Sequence, residues 1–137
     1  MRKIQVQAIE EAVYELFLQA NYSIEPGIEK AITEAVEQET SDAGRFVLKQ
    51  LSENYRIART EKMAICQDTG ASMVFMDIGQ EVYLEGELPE TAVNRGVRRA
   101  YTEGFLRKSM VKDPLFDRTN TGDNTPAIIY TNLVPGD

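Results

Sequence analysis

Apolar residues recur at helical spacing through the first sixty positions of the chain and predict three helices. The apolar residues between positions 3 and 20 would lie on one side of a single helix. A second helix is predicted after Pro26, because proline fits the first helical turn, where its missing N–H would have no partner. A third is predicted after the potential capping residues Thr40, Ser41 and Asp42. We expect all three stripes to form core: Ile9, Val13, Leu16, Phe17 and Ala20, then Ile28, Ala31, Ile32, Ala35 and Val36, then Ala43, Val47, Leu51 and Ala58.

Short apolar runs replace this pattern in the second half of the chain. Residues 72–78 and 81–85 are separated by the turn signal Gly79-Gln80 and predict a β-hairpin. Leu88-Pro89 opens a fourth predicted helix, and residues 127–134 predict a last strand. The apolar positions of the fourth helix are Val93, Val97, Ala100, Tyr101 and Phe105. The sequence therefore predicts an α+β fold, with a helical first half followed by a small β-sheet packed with a further helix.

A single domain is expected for residues 1–137, since one core serves roughly 100–200 residues and no linker divides the chain. The last predicted strand runs into Pro135-Gly136, a dipeptide that usually turns the chain into another element. We therefore expect residues 1–137 to be a truncated N-terminal part of a longer polypeptide.

Composition and charge narrow the class of protein. The formal net charge of −7 argues against nucleic-acid binding, which depends on clustered lysine and arginine. No apolar run approaches the roughly 18–20 residues that a membrane-spanning helix needs. A single cysteine, Cys66, cannot form an internal disulfide, which favours a reducing, cytoplasmic setting.

Positive charge is concentrated in residues 95–112, which hold six basic side chains and one glutamate. Such an island within an acidic chain suits a small anionic substrate, because the local field matters more than the net charge. The alternative interpretation is a helix with a solvated basic face. Arg95, Arg98 and Arg99 are expected to be electrostatic background or contacts to other domains.

The segment Ile65-Cys66-Gln67-Asp68-Thr69-Gly70 lies between a predicted helix and a predicted strand, where loops often carry functional groups. A lone cysteine is most often a small buried hydrophobe, but its three polar neighbours are poor companions for a core thiol. A thiolate selects iron–sulfur clusters, zinc or copper(I). Because the chain has no second cysteine and no histidine, any metal centre must draw ligands from elsewhere, and a histidine-activated thiol hydrolase is disfavoured.

A second polar stretch surrounds residues 117–124. Its acidic and amide side chains, Asp117, Asn120, Asp123 and Asn124, could suggest a Ca²⁺ loop. Their spacing and the absence of a terminal glutamate miss the EF-hand pattern, so we interpret them as turn residues. Tyr101 and Tyr130 are interpreted as structural.

Five blocks in order give the chain a family resemblance over about residues 5–137. They are Ala64-Ile-Cys-Gln-Asp-Thr-Gly70, Asn94-Arg-Gly-Val-Arg-Arg99, Leu106-Arg-Lys-Ser109, Asp113-Pro-Leu115 and Asn120-Thr-Gly-Asp-Asn-Thr-Pro-Ala127. Together they resemble the N-terminal region of class I, iron–sulfur-dependent fumarate hydratases and of the related L-tartrate dehydratase α subunits. The third and fifth blocks are more similar to the fumarate hydratases.

The resemblance implies a [4Fe–4S] cluster held by three cysteines, of which Cys66 would be the first and two would lie outside this chain. It also implies that Gln67, Asp68 and Arg107 contact a dicarboxylate substrate, fumarate or malate. The general base would come from a β-type C-terminal domain or subunit, in a homo- or hetero-oligomer. We therefore expect a hydro-lyase whose isolated 137-residue chain is inactive. The alternatives are an L-tartrate dehydratase and a non-catalytic assembly module of the same fold.

Overall fold

A computed structural model describes all residues from Met1 to Asp137. The elements in chain order are β1 (Arg2–Gln5), α1 (Val6–Tyr22), α2 (Pro26–Gln38), α3 (Asp42–Glu61), β2 (Met73–Gly79), β3 (Val82–Glu85), α4 (Pro89–Glu103) and β4 (Ile128–Val134). The predicted α+β class is confirmed. No helix is long and apolar enough to cross a membrane.

The helix starts follow the local signals in the sequence. Pro26 and Pro89 occupy the first turns of α2 and α4. The side chain of Ser41 accepts a hydrogen bond from the N–H of Gly44 and caps α3. The first predicted helix begins too early, since residues 2–5 form strand β1 and pair in parallel with β3. Helical periodicity cannot reveal this pairing, because the partner strand lies about eighty residues away in the chain.

The predicted hairpin is wrong, because β2 and β3 do not pair with each other. Strand β2 pairs in parallel with β4, from Met73 opposite Ile128 to Gly79 opposite Val134, and β3 pairs with β1. The intervening turn is bound elsewhere: Gln80 N–H donates to the carbonyl of Val134. A Cβ on Gly79 would clash with the carbonyl oxygen of Gly136, so this approach requires glycine. The result is two small parallel sheets in place of one hairpin.

The main core lies between α1 and α4. Val13, Val93, Val97, Tyr101 and Leu106 form its buried cluster. Gly96 allows the helices to approach, since a Cβ there would lie 2.6 Å from the carbonyl oxygen of Glu10. Of the first predicted stripe, Val13 is buried, Ile9 and Phe17 pack against the cluster, and Leu16 is exposed. Phe105 was predicted on the α4 stripe but lies beyond the helix end and is 91% exposed.

The predicted core stripes of α2 and α3 are largely exposed. Helix α2 has no buried residue, and α3 buries only Ala58. Val47 is 54% exposed and Leu51 is 39% exposed. Of the predicted α3 stripe only Ala58 is buried, and the less exposed side of the helix also carries Leu48 and Tyr55. The two helices pack against each other and leave much of the predicted stripe uncovered.

Candidate functional site at the Cys66 loop

Cys66 lies on the loop between α3 and β2, and hydrogen bonds at Ile65 connect this loop to α1 and α3. The N–H of Ile65 donates to the carbonyl of Asn21 at the end of α1, at 2.8 Å. The side chain of Asn54 on α3 donates to the carbonyl of Ile65, at 2.9 Å. The Cys66 thiol beyond this anchor is free and exposed. The alternative interpretation of Cys66 as a small buried hydrophobe is therefore excluded.

The loop forms a compact turn around the cysteine. The Sγ of Cys66 accepts the N–H of Asp68 at 3.4 Å. The Oδ1 of Asp68 accepts the N–H of Gly70 at 3.2 Å. Gly70 has φ +63°, a left-handed conformation that glycine adopts without steric cost. The exposed side chains of Cys66, Gln67 and Asp68 are thereby presented from one ordered turn.

Arg107 lies on a second loop that follows α4 and touches the first. The hydroxyl of Thr69 donates to the carbonyl of Arg107 at 2.8 Å. The hydroxyl of the buried Tyr101 donates to the carbonyl of Thr69 at 2.9 Å, so Tyr101 ties the cysteine loop to α4. Leu106, next to Arg107, is buried in the core. The fold therefore brings Arg107 beside the turn that carries the other three predicted site residues.

Asn124 holds the same two loops together and was missed by sequence analysis, which assigned it to a turn. It is fully buried. Its Oδ1 accepts the N–H of Ser109, and its Nδ2 donates to the carbonyl of Gly70. The only hint in the sequence was its place in the polar block Asn120–Ala127. Its partners lie 15 and 54 residues away, which no local pattern shows.

Asp117 and Asn120 form turns, as predicted, but Asn120 also donates to the carbonyl of Lys108 and Asp123 also pairs with Arg98. The carboxylate of Asp117 accepts from Thr119, and the amide oxygen of Asn120 accepts the N–H of Gly122. Hydrogen bonds from the Thr119 hydroxyl and backbone hold the pKa of Asp117 below its ordinary value. No group of three or more histidine, cysteine, aspartate or glutamate residues is arranged to hold a metal ion.

The three arginines of α4 are neutralised within the chain. Arg95 pairs with Glu10 at 2.7 Å, and Arg98 pairs with Asp123 at 2.6 Å. Arg99 contacts Glu10, Glu11 and Glu103. The hydrogen bond from Arg95 lowers the pKa of Glu10, against the opposing effect of burial. These arginines are therefore internal ion-pair partners and not a solvated basic face.

The unpaired positive charge of residues 95–112 is left on the second loop. Eleven ion pairs are present in the structure, and none of them involves Arg107, Lys108 or Lys112. Arg107 is exposed next to the cysteine turn. The unpaired basic side chains thus lie on the loop that contacts the Cys66 turn, whereas the sequence alone spread the positive charge over the whole basic segment.

Comparison with known proteins assigns this arrangement to a family. The family model described as Fumarate hydratase (Fumerase) matches residues 10–137. The chain belongs to the fumarate hydratase family. That match includes the Cys66 loop, the Arg107 loop and Asn124.

Individual relatives include both fumarate hydratases and a tartrate dehydratase subunit. A Methanocaldococcus jannaschii protein assigned as an L(+)-tartrate dehydratase α subunit is 32% identical over 124 residues, covering 88% of this chain and 43% of the relative. The anaerobic class I fumarate hydratase of Escherichia coli is 30% identical over 137 residues, covering 98% of this chain and 25% of the relative. Fumarate hydratase 2 of Leishmania major is 36% identical over 99 residues, or 72% of this chain and 17% of the relative. The chain therefore spans less than half the length of these relatives.

Proposed function

We propose that this chain contributes part of the active site of an iron–sulfur hydro-lyase that reversibly hydrates fumarate to L-malate. The observation that carries the proposal is the contact between the Cys66 turn and the Arg107 loop, through Thr69 and Arg107. This contact joins the backbone of Arg107 to the turn that carries Cys66, Gln67 and Asp68, whose side chains are exposed. The fumarate hydratase relatives, which span up to 98% of the chain, support this choice of reaction.

The residues present fit one corner of a [4Fe–4S] cluster. Cys66 is free and exposed, so its thiolate is available as a ligand. The N–H of Asp68 already points at its sulfur, and hydrogen bonds to sulfur are among the features that tune such clusters. We propose Cys66 as one of three cysteine ligands, the other two coming from outside this chain. When bound, the cluster would supply a Lewis-acidic iron for the substrate oxygens.

The neighbouring side chains would bind and orient the dicarboxylate. The guanidinium of Arg107 can donate two parallel hydrogen bonds to a carboxylate, which a lysine cannot reproduce. The amide nitrogen of Gln67 can donate to a substrate oxygen. Asp68 is proposed as the catalytic carboxylate of this chain, because its free Oδ2 can accept or, when protonated, donate a hydrogen bond. Its Oδ1 is held by the N–H of Gly70, which fixes its direction.

The remaining parts of the enzyme are proposed to lie outside residues 1–137. A single thiolate cannot hold a cluster that needs three, so we expect the isolated chain to be inactive. We propose a β-type domain or subunit as the partner that supplies the general base, within a homo- or hetero-oligomer in the cytoplasm. The relatives named as α subunits of tartrate dehydratases support assembly with a second subunit.

A second candidate reaction is the dehydration of L-tartrate. It is favoured by the 32% identity to the M. jannaschii protein over 88% of the chain. Both substrates are four-carbon dicarboxylates, so Arg107 would serve either. Steady-state assays of the complete protein with fumarate, malate and L-tartrate distinguish the two reactions, and a complex that is iron-free and inactive with all three would indicate an assembly module.

Replacement of Arg107 by lysine tests the substrate role directly. Arg107→Lys keeps the charge but loses the planar fork, so we expect kcat/KM to fall roughly 10- to 150-fold, the scale of a charged hydrogen bond. Iron content should stay unchanged. Arg118→Lys is the matched control, because Arg118 is also exposed and unpaired but lies outside the two loop contacts. Equal kcat/KM for wild type and Arg107→Lys would remove Arg107 from the site.

A further inference from the structure

Asn124 uses both ends of a fully buried amide, although none of the ligand or substrate roles above involves it. Its Oδ1 accepts the N–H groups of Ser109 and Met110, at 2.7 and 3.0 Å. Its Nδ2 donates to the carbonyl of Gly70 at 3.1 Å and to the hydroxyl of Ser72 at 3.4 Å. The hydroxyl of Ser72 lies in an equally buried side chain. A buried amide with all these partners is strongly oriented, because a change of direction would leave buried polar groups unpaired.

The two ends of this amide reach the two loops of the proposed site. Ser109 follows Arg107 by two residues, and Gly70 follows Asp68 by two residues. The side chain of Asn124 therefore connects the backbone just after Arg107 to the backbone just after Asp68. The direct contact between Thr69 and Arg107 lies nearer the surface. Asn124 is the buried link between them.

The residue type is fixed by backbone and side chain together. Asn124 has φ +62°, a left-handed conformation that asparagine and glycine tolerate better than other residues. Glycine would satisfy the backbone but make neither contact. Aspartate would keep the acceptor for Ser109 but offer no amide donor to Gly70.

We propose that Asn124 is a positioning residue that sets the spacing between Arg107 and the Cys66–Asp68 turn, an inference that rests on the proposed function. Two loops that bind one small dicarboxylate must hold a fixed distance. A displacement of about 1 Å in a reacting group can cost about 100-fold in rate. Asn124 acts through the two backbones it holds and does not touch the substrate.

Two substitutions separate the two ends of the amide. Asn124→Gly keeps the left-handed backbone and removes every side-chain contact. Asn124→Asp, as an ionised carboxylate, keeps an oxygen for Ser109 and Met110 and loses the donor to Gly70. The carbonyl of Gly70 then keeps only the hydroxyl of Tyr101, so the variant should loosen the cysteine turn alone. Asn132→Ala is the matched control, because the Asn132 amide bonds only the exposed Asp77 on the neighbouring strand.

Hydrogen–deuterium exchange of the full-length protein measures how well the two loops are held, independently of enzyme activity. In Asn124→Gly we expect exchange to quicken about tenfold both in residues 68–72 and in residues 108–111, as for the loss of a net hydrogen bond. In Asn124→Asp only residues 68–72 should change. If Asn124→Gly does not fold, the aspartate variant carries the test. A folded variant with unchanged exchange at residues 68–72 would overturn the proposal.

Kinetics of the complete enzyme give the second measurement. We expect Asn124→Gly to lower kcat/KM for fumarate about 100-fold while the folded, iron-loaded fraction matches wild type. A purely structural role would lower thermal stability and leave kcat/KM of the folded enzyme intact, and that result would contradict positioning. If the wild-type protein neither hydrates fumarate nor dehydrates L-tartrate, the proposed function fails, and exchange still decides whether Asn124 fixes the two loops.

Discussion

The α1–α4 pair and the α2–α3 pair are both built from amphipathic helices, yet only the first pair encloses a core. Helix α4 buries six residues, among them Val97 and Tyr101, whereas α2 buries none. Charged groups also cross the first pair, where Arg95 and Arg99 of α4 reach Glu10 of α1. An apolar stripe predicts that one side of a helix packs against something, but it does not identify the element that packs there.

The site depends on the first pair more than on the second. Tyr101 and Leu106 connect the α4 core to the cysteine turn and to the Arg107 loop. The second pair reaches the cysteine loop through one side-chain hydrogen bond, from Asn54 to the carbonyl of Ile65. We therefore expect changes in α1 and α4 to affect stability much more than matched changes in α2 and α3.

Matched valines give the largest expected difference between the pairs. Val97 is fully buried in α4, and Val47 is 54% exposed in α3. Val97→Ala should lower the free energy of unfolding by about 2–3 kcal/mol, from lost burial plus the cavity left behind. Val47→Ala should change it by less than about 0.5 kcal/mol. Urea unfolding of the purified chain measures both, and equal losses would show that α2–α3 carries core that the structure does not contain.

Matched glycines sharpen the same comparison. Gly96 sits where a Cβ would meet the backbone of α1, whereas a Cβ at Gly27 of α2 meets nothing within 4 Å. Gly96→Ala should destabilise by about 1–3 kcal/mol, because the two helices must move apart. Gly27→Ala should be neutral or stabilising by up to about 1 kcal/mol, since alanine favours helix. A neutral Gly96→Ala would mean that α1 and α4 are not in close contact.

A smaller effect is expected from the ion pairs across α1 and α4. Arg95 lowers the pKa of Glu10 in the folded state below the unfolded value of about 4.3. Glu10 therefore adds stability that is present above that unfolded value and is lost as pH falls through the folded pKa.

Thermal unfolding of Glu10→Gln between pH 7 and pH 2.5 checks this dependence. The variant should be less stable than wild type at pH 7 by up to about 1 kcal/mol, and the difference should shrink as the pH falls below about 4. Glu34→Gln is the control, because Glu34 only pairs with Lys30 on the same exposed helix. If the stability difference between wild type and Glu10→Gln does not change with pH, the contribution of Glu10 does not come from its charge.

Much of the fold was predictable because its signals are local. The starts of α2 at Pro26 and of α3 after Ser41 follow from proline geometry and side-chain capping. Strand pairing was not predictable, because β1 and β2 pair with strands far along the chain and in parallel. A short turn between two apolar runs fits a hairpin equally well, so the sequence could not exclude the wrong pairing.

The candidate site divides in the same way. Cys66, Gln67 and Asp68 are adjacent in sequence, so their grouping was evident, and Arg107 was added by family resemblance. The role of Asn124 depends on contacts with Gly70 and Ser109 that exist only in the folded chain. The pairing of Arg95, Arg98 and Arg99 was hidden for the same reason, because their acidic partners come from α1 and from distant loops.

The most direct test of the proposed function is the iron content and fumarate hydration rate of Cys66→Ser, measured anaerobically in the full-length protein together with the proposed β-type partner. Serine is a much poorer ligand than cysteine for an iron–sulfur cluster. If Cys66 is a cluster ligand, the wild-type protein will contain iron and hydrate fumarate, and the variant will lose iron and activity together. A Cys66→Ser protein with wild-type iron content and an unchanged hydration rate would contradict the account.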